Sequence, residues 1–288
     1  MRKSTQLRQM IESGKTHLIP GVYDGLSARI AQAAGADLLY ATGGGIARST
    51  GIPDMGLFNP VQVVERLEQI IDSVDVPVIA DFDTGYGNAL NALHTLKGFE
   101  RAGVAGFHIE DQVFPKRCGH LEGKAVVPAA ELSAKIRAIK ENAEDPDLVV
   151  IARTDALAVE GYDSAIARMH EYMKAGADVA FIEAPRTVEQ IEQLSADLPY
   201  PKILNMFWGG KTPVLERDRL EELGFNLVIA PGDMQRAAMF AMRQAAEAIL
   251  RDGHTESMAD SMASFDDREV AINTAKYMAW DEEYAVKL

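Results

Sequence analysis

Apolar residues recur along this chain in short, nearly continuous runs at 19–22, 37–40, 76–80, 104–110, 148–152, 178–183, 202–204 and 225–230. Longer mixed stretches separate them, at 25–34, 60–73, 89–102, 128–141, 162–175, 188–194, 213–223 and 233–251. The short runs predict strands covered on both faces, and the longer stretches predict helices. The joints repeat as well. Ala33-Ala34-Gly35-Ala36, Arg101-Ala102-Gly103, Lys174-Ala175-Gly176-Ala177 and Glu222-Leu223-Gly224 each set a glycine just past a helix, where a left-handed cap ends it. About eight strand–helix units in strict alternation predict an α/β fold of the (β/α)8 TIM-barrel type, with a doubly wound open sheet as the competing architecture. The first unit carries no Gly-x-Gly-x-x-Gly, which weakens a dinucleotide-binding version.

After Arg251 the alternation stops. Asp252-Gly253-His254 reads as a turn, and 255–288 as a polar segment followed by a helix near 269–284. That tail, with Tyr277 and Trp280, packs on its own barrel or on a neighbouring subunit. No linker divides the chain, so 1–252 is assigned to the barrel and 253–288 to a C-terminal helical extension of the same domain. A length of 288 residues is normal for one such barrel.

Composition narrows the partners. The net charge of −14 disfavours nucleic acid and anionic membranes but leaves a small anionic substrate open, since local cations override the net field inside a cleft. No apolar run approaches the ~20 residues of a membrane span. The start, Met1-Arg2-Lys3-Ser4-Thr5-Gln6, lacks the apolar core of a signal peptide. A single cysteine excludes an intramolecular disulfide framework and fits a reducing, cytoplasmic compartment.

That cysteine lies in Lys116-Arg117-Cys118-Gly119-His120, after the apolar run ending at Glu110. Cationic neighbours favour thiolate over thiol, so the segment reads as a reactive cysteine on a loop; the competing reading is an inert thiol in a basic surface loop. In a barrel, function sits at the C-terminal ends of the strands. There the chain places Tyr40 and Thr42, Asp81 and Asp83, Glu110, Arg153, Glu183 and Asn205. Asp81 and Asp83 are two apart, which on an extended strand puts both carboxylates on one face. With Glu110 they form an oxygen-only set suited to Mg²⁺ or Mn²⁺; pairing with arginine or capping of helices is the alternative. Gly43-Gly44-Gly45 offers backbone N–H groups to an anion or makes a plain tight turn. Arg153 and Arg236 offer carboxylate-matching forks or structural pairs. His108, on an apolar strand, reads as a hydrogen-bonded core residue.

Taken together, these segments resemble the isocitrate lyase/phosphoenolpyruvate mutase superfamily, most closely its 2-methylisocitrate lyase and dimethylmalate lyase branches. The resemblance runs from about Gly21 to the C-terminus. It is carried by Gly43-Gly44-Gly45 with Pro53-Asp54, Asp81-Phe82-Asp83-Thr84-Gly85-Tyr86-Gly87, His108-Ile109-Glu110-Asp111-Gln112, the Lys116–His120 string, Ile151-Ala152-Arg153-Thr154-Asp155-Ala156 and Phe181-Ile182-Glu183-Ala184. It implies a barrel, usually homotetrameric, whose last helix is exchanged between subunits. It also implies Mg²⁺ at Asp81 and Asp83, with Glu110 and Asp54 nearby through water. Substrate contacts map to Thr42, Gly43, Gly44, Gly119, His120, Arg153, Glu183, Asn205 and Arg236.

The implied reaction is cleavage of a 2-hydroxy di- or tricarboxylate into an α-keto acid and a carbanion stabilised as an enediolate. Cys118, on a mobile loop, returns the proton; Tyr40 and Glu183 handle the hydroxyl proton. An oxaloacetate hydrolase, a phosphonomutase-type P–C bond enzyme and a non-catalytic metabolite-binding barrel are the alternatives. The segment Asn205-Met206-Phe207-Trp208-Gly209-Gly210 departs from the methylisocitrate lyases, and Trp208 is expected to fill space that a third carboxylate arm would need. In place of their tail arginine stands Phe265, with Arg268 close by.

Overall fold

Runs of residues buried on both faces become the staves of a closed barrel. The computed structural model describes residues 1–119 and 121–286. Its strands are β1 (His17–Val22), β2 (Leu39–Ala41), β3 (Val78–Asp81), β4 (Gly106–Glu110), β5 (Val149–Thr154), β6 (Val179–Ile182), β7 (Lys202–Asn205) and β8 (Leu227–Ala230). All pair in parallel in chain order, and β8 closes on β1 with His17 opposite Leu227 and Pro20 opposite Ala230. That closure removes the open-sheet alternative.

Helices alternate with the strands: α1 (Lys3–Glu12), α2 (Gly25–Ala33), α3 (Gly43–Ser49), α4 (Pro60–Ile71), α5 (Ala89–Ala102), α6 (Ala129–Asn142), α7 (Ala156–Val159), α8 (Tyr162–Lys174), α9 (Val188–Asp197), α10 (Arg217–Glu222) and α11 (Asp233–Asp252). Two apolar layers result. One fills the barrel interior, with Ile19, Tyr40, Ile79, Ile151, Phe181, Ile203 and Ile229. The other, centred on Phe82, Phe99 and Phe107, lies between sheet and helices.

Besides the short α7, which was not expected, three elements differ from expectation. The first is α1, which the strand count left unread. Its Leu7 and Ile11 join the interior layer, so the helix plugs the end of the barrel opposite the strand C-termini. The second is α3. Gly43-Gly44-Gly45 is not a plain tight turn but the start of a helix capped by Thr42, whose Oγ1 accepts from the Gly45 N–H at 3.3 Å. The third is the tail, which forms a 3₁₀ helix (Glu256–Ser261), α12 (Phe265–Ala271) and α13 (Thr274–Tyr284). Asn273, in the left-handed conformation at φ 60°, breaks the single helix expected there; asparagine is among the few residues that tolerate it. Phe265, Val270, Tyr277, Met278 and Tyr284 of the tail are exposed. Among the described residues, no helix is long and apolar enough to cross a membrane.

Candidate active site

The strand ends meet at one mouth. Register brings Asp81 beside His108 and Glu110 beside Arg153, so β3, β4 and β5 deliver their polar termini at one level. Asp81 and Asp83 are neighbours, though not by strand alternation. The strand ends at Asp81, and Asp83 takes a left-handed φ of 47°, an unfavourable state for a residue with a Cβ. The turn lets the Asp83 N–H donate to Asp81 Oδ1 at 3.0 Å while its own carboxylate faces Lys116.

Lys116 is the first surprise. Its ammonium is buried between Asp54 and Asp83, 2.6 and 2.7 Å from their carboxylates. Arg117 donates to the Glu122 carbonyl at 2.9 Å. Of the groups expected to activate the thiol, Lys116 and Arg117 are thus committed to oxygen partners. Glu110 pairs with Arg153 at 3.1 Å, and among the described residues neither of its buried carboxylate oxygens accepts a hydrogen bond. Burial raises Glu110 well above the ordinary carboxylate range despite Arg153, and raises Asp83 despite Lys116. Burial also opposes the charge of Asp81, but the surrounding cations and the Asp83 N–H outweigh it and hold this carboxyl low.

Among the described residues, no three His, Cys, Asp or Glu side chains already converge as a metal cage. Asp54, Asp81, Asp83 and Glu110 nevertheless form a hard, oxygen-only set with under-satisfied acceptors. That chemistry fits a divalent Mg²⁺ or Mn²⁺ ion, which would supply the positive charge that burial makes these acids lack.

A cavity of about 180 Å³ opens beside the acids. Tyr40, Thr42, Gly44, Asp54, Asp81, Arg153, Glu183, Asn205 and Arg236 line it, as do Cys118 and Gly119 from the loop over it. Gly43, Asp83 and Glu110 are not on its wall; Gly43 and Asp83 border a neighbouring crevice with Asp54 and Asp81. Gly43 is required there by close approach, since a Cβ would meet Asp81 Oδ2 at 2.6 Å. The volume lies below the ~300 Å³ of sites for larger ligands, so it suits a small acid.

The loop sits down over this chamber. Gln112 and Val126 bridge at its base, and Gln112 grips both the N–H and the carbonyl of Arg117, at 2.9 and 2.8 Å. At the tip, a Cβ on Gly119 would collide with Glu183 Oε1 and with Arg153 Nη2, so only glycine lets the loop rest there. Lys124 ties the loop to the barrel through the Gly119 carbonyl and Asp155. His120 lies outside the described residues.

The floor carries a polar network. Tyr40 OH lies 2.7 Å from His108 Nε2 and 3.4 Å from Asp81 Oδ2. Burial lowers His108 to about 4, so it is neutral at physiological pH, the core histidine expected. Burial first, and then Asp81, raise Tyr40 well above its usual range. The phenol therefore keeps its proton and donates. Asn205 Nδ2 donates to Glu183 Oε1 at 3.1 Å. Asp155 clamps Arg153 through Nε at 3.0 Å and Nη2 at 3.3 Å. Asp111, fully buried, accepts from Thr154 Oγ1, the Asp155 N–H and Tyr172 OH, locking β4 to β5.

Several of these roles were not read from the sequence. Asp155 follows Arg153 by two positions and could have been suspected as its partner. Lys116 and Lys124 could not, because loop conformation alone decides where their long side chains end. Trp208 does not fill the cavity; it is 74% exposed, with the Arg236 guanidinium 5.3 Å over its ring, and Phe207 lines the wall instead. Phe265 and Arg268 pack on each other at 4.2 Å, on the tail and off the cavity wall.

Comparison with known proteins bears on this geometry. The family described as phosphoenolpyruvate phosphomutase matches residues 7–250. The chain is 36% identical over 286 residues to the 2,3-dimethylmalate lyase of Eubacterium barkeri, covering 99% of each. It is 41% identical over 233 residues to the 2-methylisocitrate lyase of Bacillus subtilis (strain 168), covering 81% of this chain and 77% of that one. A crystal structure of 2,3-dimethylmalate lyase, described as a PEP mutase/isocitrate lyase superfamily member, superposes with a TM-score of 0.92 at 38% identity, covering 100% of this chain and 99% of that one.

Proposed function

The chain belongs to the phosphoenolpyruvate mutase/isocitrate lyase superfamily, and on that premise we propose that it is a Mg²⁺-dependent carbon–carbon lyase. Its substrate is a 2-hydroxy di- or tricarboxylate of the 2-methylisocitrate or 2,3-dimethylmalate kind, split into an α-keto acid and a second carboxylate. The observation that carries this reading is that Cys118 and Asp81 line one chamber of about 180 Å³ beneath a seated loop.

Mg²⁺, replaceable by Mn²⁺, would be held by Asp81 and Asp83 with Glu110 and Asp54 beside it through water, and would supply Lewis acidity toward the substrate's hydroxyl and carboxylate oxygens. Arg153, Thr42, Gly44, Asn205 and Arg236 bind and orient the acid from the chamber wall, with Gly43 behind them against Asp81. Glu183 accepts the hydroxyl proton while the protonated Tyr40 donates a hydrogen bond. As the C2–C3 bond breaks, its electron pair passes to C3 and C2 becomes the keto carbon. Cys118 delivers its thiol proton to C3 as general acid. The proton on Glu183 restores the thiol through solvent once the loop lifts. Gly119 closes the chamber above the reacting carbons, which excludes water and protects the carbanion.

The same reading includes a cytoplasmic homotetramer. The exposed apolar side chains of α12 and α13 support it, as does an apolar groove of about 960 Å³ lined by Leu26, Ile30, Met239 and Met242. The test is a panel of 2,3-dimethylmalate, 2-methylisocitrate, isocitrate, oxaloacetate and phosphonopyruvate, assayed with Mg²⁺ for keto-acid or acetate release. A hydroxy acid should release keto acid, EDTA should stop it, and Cys118→Ser should abolish turnover with substrate still bound. Hydrolysis of oxaloacetate alone would make the chain a hydrolase; no product from any member would remove the enzyme reading.

A further inference from the structure

One cation on the cavity wall makes no ion pair with any carboxylate among the described residues. Lys116 is paired with Asp54 and Asp83, Arg153 with Glu110 and Asp155, and Arg236 stands 3.7 Å from Asp233. Arg48, in the last turn of α3, lines the same cavity, and among the described residues no carboxylate lies within ion-pair distance of it. Its hydrogen bond there runs from Nε to Oε1 of Gln235, at 2.8 Å. Gln235 is itself buried, and its amide nitrogen donates to the Gly45 carbonyl at 2.8 Å. A neutral clamp reaching over from α11 thus sets the direction of the guanidinium without spending its charge.

The terminal nitrogens lie over the cavity wall. A Cβ built on Gly44 would stand 2.9 Å from Asp54 Oδ2, 3.1 Å from Arg48 Nη1 and 3.2 Å from Nη2, so Asp54 faces the fork across Gly44 but makes no ion pair with it and is held by Lys116. Both nitrogens keep their donors unspent among the described residues. A planar fork, oriented by a neutral partner and facing a polar chamber, is the arrangement that receives a carboxylate through two parallel hydrogen bonds. Arg48 follows β2 and Arg153 lies on β5, three staves round the barrel, so the two guanidiniums address the chamber from different sides.

We propose that Arg48 is a specificity-determining residue that binds a substrate carboxylate other than the one held by Arg153, and so selects acids carrying two carboxylates across the mouth. The inference deepens the lyase reading and rests on it for the identity of the ligand. The charge preference itself is measured without turnover.

Calorimetric titration of the full-length protein with Mg²⁺ provides the test, using succinate and butyrate, which share a chain length but differ by one carboxylate. Arg48→Met should weaken succinate about tenfold to a hundredfold and butyrate by less than about threefold, and Arg48→Lys should recover part of the loss. Arg48 is exposed, so the melting temperature of each variant should match the parent and certify the fold. Equal weakening of both acids, or of neither, overturns the proposal. So does a changed oligomeric mass with the succinate preference intact, since that would assign the charge to a second copy across the adjoining outer groove. If no hydroxy acid is cleaved yet the preference for succinate still depends on Arg48, the lyase reading falls and this one stands. If Arg48→Met cleaves its substrate with the parent's KM, the reverse holds.

Discussion

Lys124 Nζ lies 2.6 Å from Asp155 Oδ1 and 2.5 Å from the Gly119 carbonyl, and its side chain is 3% exposed. One ammonium thereby joins the loop that carries Cys118 to the carboxylate that orients Arg153. Loop position and substrate-binding charge are mechanically linked.

Lys124→Met should therefore loosen the loop while Asp155 keeps its pair with Arg153. We expect cleavage by added protease within 112–126 to accelerate and kcat/KM to fall about tenfold or more, because misplacement of a reacting group is costly. Glu122 and Lys211, at 2.6 Å, form a second tie on the exposed side of the same loop. Glu122→Gln should leave both measurements unchanged, since exposed pairs contribute little. Equal effects from the two variants would show that burial of Lys124 is irrelevant.

Gly119→Ala tests whether the seated loop is the working state. The added methyl meets Glu183 and Arg153 rather than solvent. Turnover should drop about a hundredfold while the melting temperature stays put, because the barrel core is untouched. Wild-type turnover in this variant would mean that catalysis proceeds with the loop raised.

Acid stability reports on Asp155. Burial opposes its charge, but Arg153 and Lys124 outweigh burial and lower the carboxyl below its ordinary value. The unfolded chain then binds the proton more readily. This stabilisation is present above the unfolded value near 4 and is lost as pH falls through the lower folded one. The gap in melting temperature between the parent and Asp155→Asn should narrow from about pH 5 to pH 3. Parallel melting curves across that range would remove the ion-pair account.

At the opposite end of the barrel, Leu7 is fully buried and packs within 3.2 Å of a Cβ built on Gly106. Leu7→Ala should cost about 2–5 kcal/mol in a denaturant titration, while kcat per folded molecule is unchanged. A loss of activity without loss of stability would contradict a purely plugging role for α1.

The alternation of apolar runs with helical stretches was enough to set the number and order of strands, since a parallel strand covered on both faces must be apolar throughout. Leu7, Met10 and Ile11 carried the helical spacing of α1 in plain view; only their place, inside the barrel, needed the fold. Residue types at the strand ends likewise placed Tyr40, Asp81, Arg153, Glu183 and Asn205 at the mouth, because each is rigidly carried by a stave or its first following residue. What the chain's order could not settle was where long side chains on irregular backbone end. Lys116, flanking the thiol in sequence, spends its charge on Asp54 and Asp83. Trp208 turns outward while its neighbour Phe207 turns in. Arg48, three residues past the glycine run, reaches the cavity because α3 forms and Gln235 clamps it. Periodicity is a local property and survives in one dimension; the pairing of charges depends on distances that exist only after the barrel closes.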